Sequence, residues 1–379
     1  MYFRFGAIIL GSLVVYATLW LMWPSPINAV YWDEPEPPAL TGALAPRPAL
    51  NDAQLTRLGT AGAASGFIVS DDATIYYGTA TGEVRRRSAS GEDVSLADLG
   101  DVPVTGIDRI DDTILGVTTP NGLFDLNLVT GEANRVSAGV PGYPFGFAND
   151  LAVAPDGQIY FTDASTLIQH DRHAERHHIN MLENRPHGAL YVWDPRTHRT
   201  RLAADRLYYP NGIAVASDQQ SIYIAETFRF RVLRHWIDGP QAGTTDVFAN
   251  NLPGFPEGLD TDGDGHVFIA MSARRSESLR TIRKNPWLAQ IIARLPRWLR
   301  PPTSRPTPFI AVLNETSGDV IATLDDTGRH ICQVSNLTIT DNQDLWFGST
   351  DCDYVSQLPQ AAVQASLYGP STRAVVETD

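Results

Sequence analysis

Basic residues are scarce in this sequence. Its 379 residues include 29 lysines and arginines against 43 aspartates and glutamates, a formal net charge of −14, and Lys284 is the only lysine. A nucleic-acid partner needs a basic face that neutralises phosphates, so this charge balance argues against one. No GxSxG nucleophile elbow is present either, which argues against serine hydrolase chemistry of that type.

Charge is absent from the beginning of the chain beyond Arg4. The run from Phe5 to Trp23 is uncharged and long enough to cross a hydrocarbon core as a helix. Arg4 precedes it and acidic residues follow, so the positive-inside rule places the remaining chain on the periplasmic, extracytoplasmic side. We predict a single-pass transmembrane signal anchor over residues 1–23; a cleaved signal peptide is the alternative. Residues 24–55, rich in proline and alanine, are predicted to form an extended linker.

A repeat occurs six times in the rest of the chain. Each copy starts with a small polar or acidic residue, reaches an Asp or Asn seven residues later, and continues into an apolar or aromatic run. This pattern predicts a strand, a tight turn and a second strand, and further β-rich runs after most copies bring each unit to about four strands. We therefore predict an all-β, six-bladed β-propeller over residues 56–379. A two-sheet sandwich is the alternative.

The first residues of the six copies form the candidate site. The first strand of each propeller blade lines the central channel, so the residue before that strand lies at the channel mouth. These residues all carry a side-chain oxygen: Ser65, Thr105, Asn149, Asn211, Glu257 and Ser335. Converging oxygens suit a hard cation such as Ca²⁺. They equally suit a ring of hydrogen bonds that holds water in the channel.

Two acids end the second strands of their copies and are candidate catalytic residues. Asp163 and Glu226 run back toward the same face as the mouth residues, where either could act as general base or nucleophile. The alternative is that these carboxylates bind backbone groups of nearby turns.

Two long loops follow second strands on this face. One contains His173 and His177, whose spacing would suit zinc on a helix, although solvated histidines are the alternative and no HExxH order is present. The other, residues 273–308, is basic and amphipathic, and we predict a helical insertion over one face of the propeller. Its 280–300 segment could contact membrane lipid, or could pack over the pocket as a lid.

The repeat also explains the positions of the two cysteines and of one stretch that looks like a calcium loop. Cys332 precedes the first strand of the sixth copy and Cys352 follows the second, so antiparallel pairing puts both at one end, where a disulfide is reasonable. The stretch DTDGDG begins like a calcium loop, but Met271 occupies its twelfth position in place of Glu. The repeat explains it as a hairpin turn.

Several of these stretches together resemble the strictosidine-synthase-like family, which is related to gluconolactonases and paraoxonases. The stretches that carry the resemblance are FANDLAVAPDGQIYFTDAS, ENRPHGALYVWDP, LYYPNGIAVA, AETFRFRVLRHWIDGPQAGTTDVFANNLPGFPEGL and NPWLAQIIARLP. The resemblance implies a six-bladed propeller with calcium at the channel mouth. It also implies an N-terminal signal anchor, which some members of the family have. It covers the chain from about residue 60 onward.

The resemblance also assigns roles to individual positions. It implies that Asn149 and Asn211 occupy calcium-ligand positions, that Glu257 stands where relatives carry Asp, and that Ser65 stands where the hydrolases carry a ligand Glu. Ser272 and Ala273 lie where true synthases carry their catalytic Glu, which argues against a carbon–nitrogen lyase. We therefore expect a membrane-anchored, metal-dependent esterase or lactonase of the arylesterase type acting on small esters or lactones. A non-catalytic propeller that binds a ligand or a partner is the alternative.

Overall fold

The computed structural model describes residues 24–58, 66–70, 72–141, 143–167, 173–303, 306–349 and 352–369. These residues form two compact units. The helical unit comprises the chain up to Glu34 together with Ala174–Arg185 and Ser276–Thr303, and the propeller unit comprises the rest. Within this part of the chain, none of the helices is both long and apolar enough to traverse a bilayer. The predicted anchor, residues 1–23, lies outside the described residues.

The propeller unit is built from short strands. In chain order they are β1 (Gln54–Arg57), β2 (Phe67–Val69), β3 (Ile75–Gly78), β4 (Glu83–Arg87), β5 (Asp93–Asp98), β6 (Gly106–Arg109), β7 (Ile114–Thr119), β8 (Gly122–Asn127), β9 (Ala133–Ser137), β10 (Gly139–Val140), β11 (Tyr143–Pro144), β12 (Ala148–Val153), β13 (Ile159–Asp163), β14 (Gly188–Asp194), β15 (Arg199–Leu207), β16 (Pro210–Val215), β17 (Ser221–Glu226), β18 (Arg231–Trp236), β19 (Thr245–Ala249), β20 (Gly254–Thr261), β21 (His266–Arg274), β22 (Pro306–Asn314), β23 (Val320–Asp325), β24 (Asn336–Ile339), β25 (Leu345–Gly348) and β26 (Tyr354–Leu358).

Six four-stranded antiparallel sheets form the blades, which confirms the predicted all-β, six-bladed propeller. Five sheets follow chain order, namely β2–β5, β6–β9, β12–β15, β16–β19 and β20–β23. The sixth contains β24, β25 and β26, and its outer strand is β1 from the beginning of the domain, paired with β26 from Gln54↔Gln357 to Arg57↔Tyr354. The first and last parts of the chain therefore close the ring in one sheet, which leaves few exposed strand edges.

Apolar side chains from adjacent blades form the core. Between the third and fourth blades, Tyr160, Leu190 and Val192 pack against Ile222 and Ile224. All six residues of β17 are buried, because both faces of this strand are covered by neighbouring blades. This burial explains why the second strand of each repeat is the most apolar part of the pattern.

Within the described ranges, four α-helices and several 3₁₀ turns accompany the strands. The helices are α1 (His173–Glu183), α2 (Glu277–Arg283), α3 (Pro286–Arg294) and α4 (Gln360–Tyr368), and the turns are Gly42–Leu44, Pro48–Asp52, Thr227–Arg229 and Arg297–Leu299. Helix α2 begins at Ser276, whose side chain accepts the Leu279 N–H at 3.3 Å and caps the helix. The predicted placement of the 273–308 insertion over one face of the propeller stays a prediction.

The segment predicted as a linker is packed where the structure describes it. Ile27 and Ala29 are buried against Leu182, Ile282 and Ile292 in the helical unit. Part of the extended linker predicted over 24–55 thus packs on the helices, because its apolar side chains find partners there. Within the propeller unit, Leu50 is also buried and β1 begins before the predicted domain boundary.

Backbone and ionic contacts fix the same segment in the helical unit. The Val30 N–H donates to Glu183 O at 3.1 Å, and the Trp32 N–H donates to Arg283 O at 3.2 Å. The carboxylate of Glu34 pairs with Arg283 at 3.1 Å, and both side chains are almost fully buried. Residues 27–34 are thus part of the folded unit.

The disulfide and the hairpin turn are both present as expected. Cys332 and Cys352 are joined, with 6.2 Å between their Cα atoms. In the DTDGDG stretch, one oxygen of Asp262 accepts the N–H groups of Asp264 and His266 at 2.8 and 3.0 Å. The other lies 2.6 Å from His266 Nδ1. Asp262 therefore closes a hairpin turn between β20 and β21.

Candidate functional site at the channel mouth

The innermost strands form a closed ring. Each of β2, β6, β12, β16, β20 and β24 contacts the next in turn, and β24 contacts β2. A Cβ placed on Gly212 would lie 2.4 Å from Glu257 O, and one on Gly106 would lie 2.9 Å from Asp150 Cα. Glycine is needed at these two positions because neighbouring backbones approach too closely for a side chain. The ring brings sequence-distant repeats around one channel.

The mouth residues lie on, or immediately before, successive innermost strands. Asn149, Asn211 and Glu257 are on β12, β16 and β20 and are half-buried. Thr105 and Ser335 lie immediately before β6 and β24, whereas Ser65 lies outside the described residues. Three of these residues are therefore within the innermost strands and not before them as predicted. Their role in a functional site stays a prediction.

Buried threonines brace the backbone beside these residues. Thr118 Oγ1 donates to Asn149 O at 3.0 Å and Thr162 Oγ1 donates to Asn211 O at 2.7 Å. Thr227 Oγ1 donates to Pro256 O at 2.7 Å, next to Glu257. Each threonine comes from the preceding blade. Because these bonds hold the main chain across blade boundaries, the mouth side chains are attached to a rigid frame.

The mouth side chains differ in their surroundings. The Asn211 amide nitrogen donates to Thr227 Oγ1 at 3.4 Å, which orients this amide. Burial, with the nearby Glu257 charge as a smaller cause, raises the pKa of Tyr209, so the Glu257 carboxylate lies close to a buried tyrosine. Ser335 Oγ is buried and has no hydrogen-bond partner among the described residues. An orphaned hydroxyl is unusual and marks a place for a further ligand.

These donors fit a hard cation in kind. Two amides, one carboxylate and one unsatisfied hydroxyl are oxygen donors of the type that Ca²⁺ takes. Within the described part of the chain, no group of three His, Cys, Asp or Glu residues is placed to hold a metal ion. A cation here would therefore depend on neutral ligands plus Glu257, which predicts modest affinity.

Asp163 is buried beside the loop that leads to Asn149. Its Cα pairs with Ala148 across the strands, and its carboxylate accepts the Gly146 and Phe147 N–H groups at 3.1 and 2.6 Å. Burial raises the pKa of Asp163 to about 6 in spite of these bonds. The carboxylate holds the loop that leads into β12, the strand of Asn149.

Glu226 has the corresponding place in the next blade. Its Cα pairs with Pro210, one carboxylate oxygen accepts the Tyr208 N–H at 2.7 Å, and the other contacts Arg231 Nε. The structure thus gives both predicted catalytic acids the backbone contacts that were the alternative interpretation. Their participation in catalysis stays a prediction.

Three aspartates inside the channel escaped sequence reasoning. Asp108, Asp150 and Asp260 line a cavity of about 310 Å³ enclosed by the innermost strands. Burial raises the pKa of these carboxyls to about 6, 7 and 6, respectively. They occupy the second or fourth position of their repeats, which share one strand face because side chains alternate. That shared face was the signal that could have revealed them.

Each channel aspartate links two blades. One oxygen accepts the N–H of the following residue, and the other accepts an N–H from the next blade. The bonds across blades run from Val153 to Asp108 at 2.9 Å, from Ile213 to Asp150 at 3.3 Å, and from Ile339 to Asp260 at 2.8 Å. These aspartates are therefore clamps between blades.

The predicted zinc pair gains no support. His173 and His177 lie on α1, but the side chain of His173 is not among those described. Burial lowers the pKa of the neighbouring His178 to about 4, with smaller contributions from Arg300 and Arg297. The same positive charges would oppose the binding of a dication at His178.

Comparison with known proteins places the chain in a family. Residues 149–240 match the sequence profile of strictosidine synthase. Adipocyte plasma membrane-associated protein of Salmo salar is 33% identical over 314 residues, covering 76% of this chain and 73% of that protein. The chain belongs to the strictosidine synthase-like family. Protein STRICTOSIDINE SYNTHASE-LIKE 13 of Arabidopsis thaliana is 30% identical over 242 residues, 63% of this chain and 56% of that longer protein.

Solved structures share the fold of this family member. A gluconolactonase of Xanthomonas campestris superposes with a TM-score of 0.58 at 19% identity, covering 89% of this chain and 99% of the other. The calcium-binding protein regucalcin of Agrobacterium tumefaciens superposes with a TM-score of 0.54 at 16% identity, covering 80% and 90%. These similarities support the propeller architecture.

Proposed function

We propose that this family member is a calcium-dependent hydrolase of small esters or lactones whose site is the channel mouth. The observation that carries the proposal is the convergence of Asn149, Asn211 and Glu257 on three successive innermost strands. The name gluconolactonase for a protein of the same fold supports a lactone as substrate, and the calcium-binding neighbour supports Ca²⁺ as cofactor.

The proposed reaction needs residues that hold the cation and residues that keep those ligands in place. Asn149, Asn211 and Glu257 would hold the cation, with Ser65 and the orphaned hydroxyl of Ser335 as further oxygen donors. When bound, Ca²⁺ would polarise the substrate carbonyl oxygen. The buried threonines and Glu226 keep the ligands in place.

Of the two predicted catalytic acids, we favour Asp163 for proton transfer. Its pKa of about 6 lies near a neutral working pH, where a carboxylate base is most effective. Glu226 is fully buried and already pairs with Arg231, which leaves its carboxylate less able to contact a substrate. An Asp163→Asn enzyme should lose the acidic limb of its pH–rate profile, whereas a purely positioning role would leave that limb in place.

The deciding experiment measures turnover and calcium together. Purified full-length protein is assayed on aryl esters and lactones, with chelator and after calcium is restored. We expect chelator to abolish turnover, and Glu257→Gln to lower kcat/KM by at least about tenfold, equivalent to about 1.4 kcal/mol. Glu132→Gln, an exposed turn position on the propeller, is the matched control. Absence of chelator-sensitive turnover on every substrate would refute the proposal.

A non-catalytic binding propeller remains the second candidate. It is favoured by the contacts of Asp163 and Glu226, because both carboxylates are already engaged with backbone groups. Calcium binding without turnover would support it. The lyase alternative has less support, since the buried residues Ser272 and Ala273 offer no carboxylate.

We further propose that the protein is anchored by residues 1–23, with the propeller on the periplasmic, extracytoplasmic side. The relatives named plasma membrane-associated protein support membrane attachment. The disulfide between Cys332 and Cys352 supports an oxidising compartment. In intact inverted membrane vesicles, whose cytoplasmic face is outside, we expect the propeller to be protected from added protease. Cleavage of the propeller in these vesicles would contradict this topology.

A further inference from the structure

The helical unit exposes one aromatic side chain, Trp287, on the outer side of α3. Ala289, Ile292 and Ala293 are buried on the inner side of this helix. Because an α-helix turns every 3.6 residues, the opposite stripe contains Trp287, Ile291 and Arg294. Trp287 is 63% exposed, an unusual position for a large aromatic side chain.

The residues that follow the helix are also exposed. Every residue from Pro296 to Leu299 is exposed, with Trp298 at 80% and Leu299 at 49%. Trp287 and Trp298 are the most exposed tryptophans in the described part of the chain, where the others are buried or half-buried. An apolar surface of this kind calls for an apolar partner.

Charge identifies that partner. The segment Ser276–Thr303 contains six basic residues and one acidic residue, although the whole chain carries a net charge of −14. Arg283 and Lys284 pair with acids inside the helical unit. Arg297 instead lies in the exposed stretch beside Trp298. Aromatic and basic side chains interleaved on one exposed surface are typical of helices at an anionic lipid interface.

The N-terminal connection points to the same partner. Ile27 is buried in the helical unit, only four residues after Trp23, where the uncharged run 5–23 ends. Four residues span at most about 14 Å even when fully extended. The helical unit and the most apolar run of the chain are therefore close together, which favours a bilayer over a soluble protein as the partner.

We propose that the helical unit docks on an anionic bilayer surface, with Trp287, Trp298 and Leu299 at the boundary between headgroups and acyl chains and Arg297 at the lipid phosphates. The docking is independent of the proposed hydrolysis. It would hold the helical unit against the membrane, so lipid composition would govern its orientation. An arginine near an anionic surface contributes on the order of fivefold to the docking equilibrium.

A fluorescent probe at position 298 tests this proposal. Full-length Trp298→Cys protein is labelled with an environment-sensitive dye, since both native cysteines are in the disulfide. The protein is reconstituted in neutral vesicles and in vesicles with about one-third phosphatidylserine. We expect a blue-shifted emission in the anionic vesicles, quenching by lipids spin-labelled near the headgroup, and a docking equilibrium about fivefold weaker in an added Arg297→Gln variant.

The matched control carries the same dye on the propeller unit. Val129→Cys is suitable because Val129 is an apolar turn residue that is 78% exposed. Its emission should stay that of a water-exposed dye in every vesicle. Equal, water-like emission at positions 298 and 129 would overturn the proposal. A blue shift in detergent that grows with protein concentration would also overturn it, in favour of a second copy of the chain.

Discussion

The channel aspartates should make the stability of the propeller depend on pH in an unusual direction, and Asp108 is the best place to test this. Its carboxylate accepts the Arg109 N–H at 2.7 Å and the Val153 N–H at 2.9 Å. Burial nevertheless raises the pKa of Asp108 to about 6 from the ordinary 3.8, and the nearby charge of Asp260 adds to the rise. The perturbation is Asp108→Asn, which keeps the shape of the side chain and removes the titration.

The sign follows from proton linkage. Between about pH 4 and pH 6 the folded protein retains the Asp108 proton while the unfolded chain has lost it, so rising pH lowers the free energy of unfolding. A shift of about two pKa units corresponds to at most about 3 kcal/mol. Asp108 is half-buried and not fully buried, which eases its ionisation. We therefore expect the free energy of unfolding to fall by about 2 kcal/mol as the pH rises, with the fall complete above pH 6.

Urea unfolding followed by tryptophan fluorescence measures the effect. The difference in unfolding free energy between Asp108→Asn and wild type should move in favour of the variant by about 2 kcal/mol between about pH 4 and about pH 8. Any fixed cost of the amide cancels in this comparison. Asp111→Asn is the control, because hydrogen bonds from Thr113 lower the pKa of this exposed acid and give the opposite sign. A pH-independent difference for Asp108→Asn would refute the reasoning.

Two further mutations test the parts of the fold that surround the site. Glu34→Ala should leave Arg283 buried without its partner and destabilise the helical unit by about 3–5 kcal/mol. Faster hydrogen exchange in Ser276–Thr303, without faster exchange in the propeller strands, is the expected readout, and unchanged exchange would contradict the ion pair. Cys332→Ser opens a loop with a sequence separation of 20 and should lower the free energy of unfolding by about 3 kcal/mol. Reduction of the wild-type protein should lower the free energy of unfolding by the same amount, and reduction of the variant should not change it. This comparison checks that loss of the disulfide with Cys352 is the cause.

Much of the propeller unit was predictable because a blade is a local structure. The turn from one strand to the next is encoded within each repeat, as in β12 and β13, and the interval to the turn is the same in every copy. Ring closure was not predictable in the same way. Strand β1 is only four residues long with mostly exposed side chains, and its partner β26 lies some 300 residues later. Its place is decided by the geometry of the closed ring.

The candidate site was likewise predictable only in its local features. Asn149, Asn211 and Glu257 could be found because each holds the first position of a visible repeat. Their supports could not, because those contacts join different blades. Thr162 lies 49 residues from Asn211 in sequence. The N–H that binds Asp260 comes from Ile339, 79 residues away. Partners at such separations are known only once the blades are in place.

The placement of the acids explains why the proposed calcium site has so few carboxylates. The channel aspartates are engaged by backbone N–H groups from two blades each. Asp163 and Glu226 are engaged by the loops before Asn149 and Asn211. These carboxylates therefore bind backbone N–H groups and fix the main chain of the blades, because a buried acid needs hydrogen-bond donors when it is removed from water. Glu257 is the one carboxylate among the described mouth positions. Calcium affinity and turnover should therefore both respond to its replacement more strongly than to replacement of any exposed acid on the propeller.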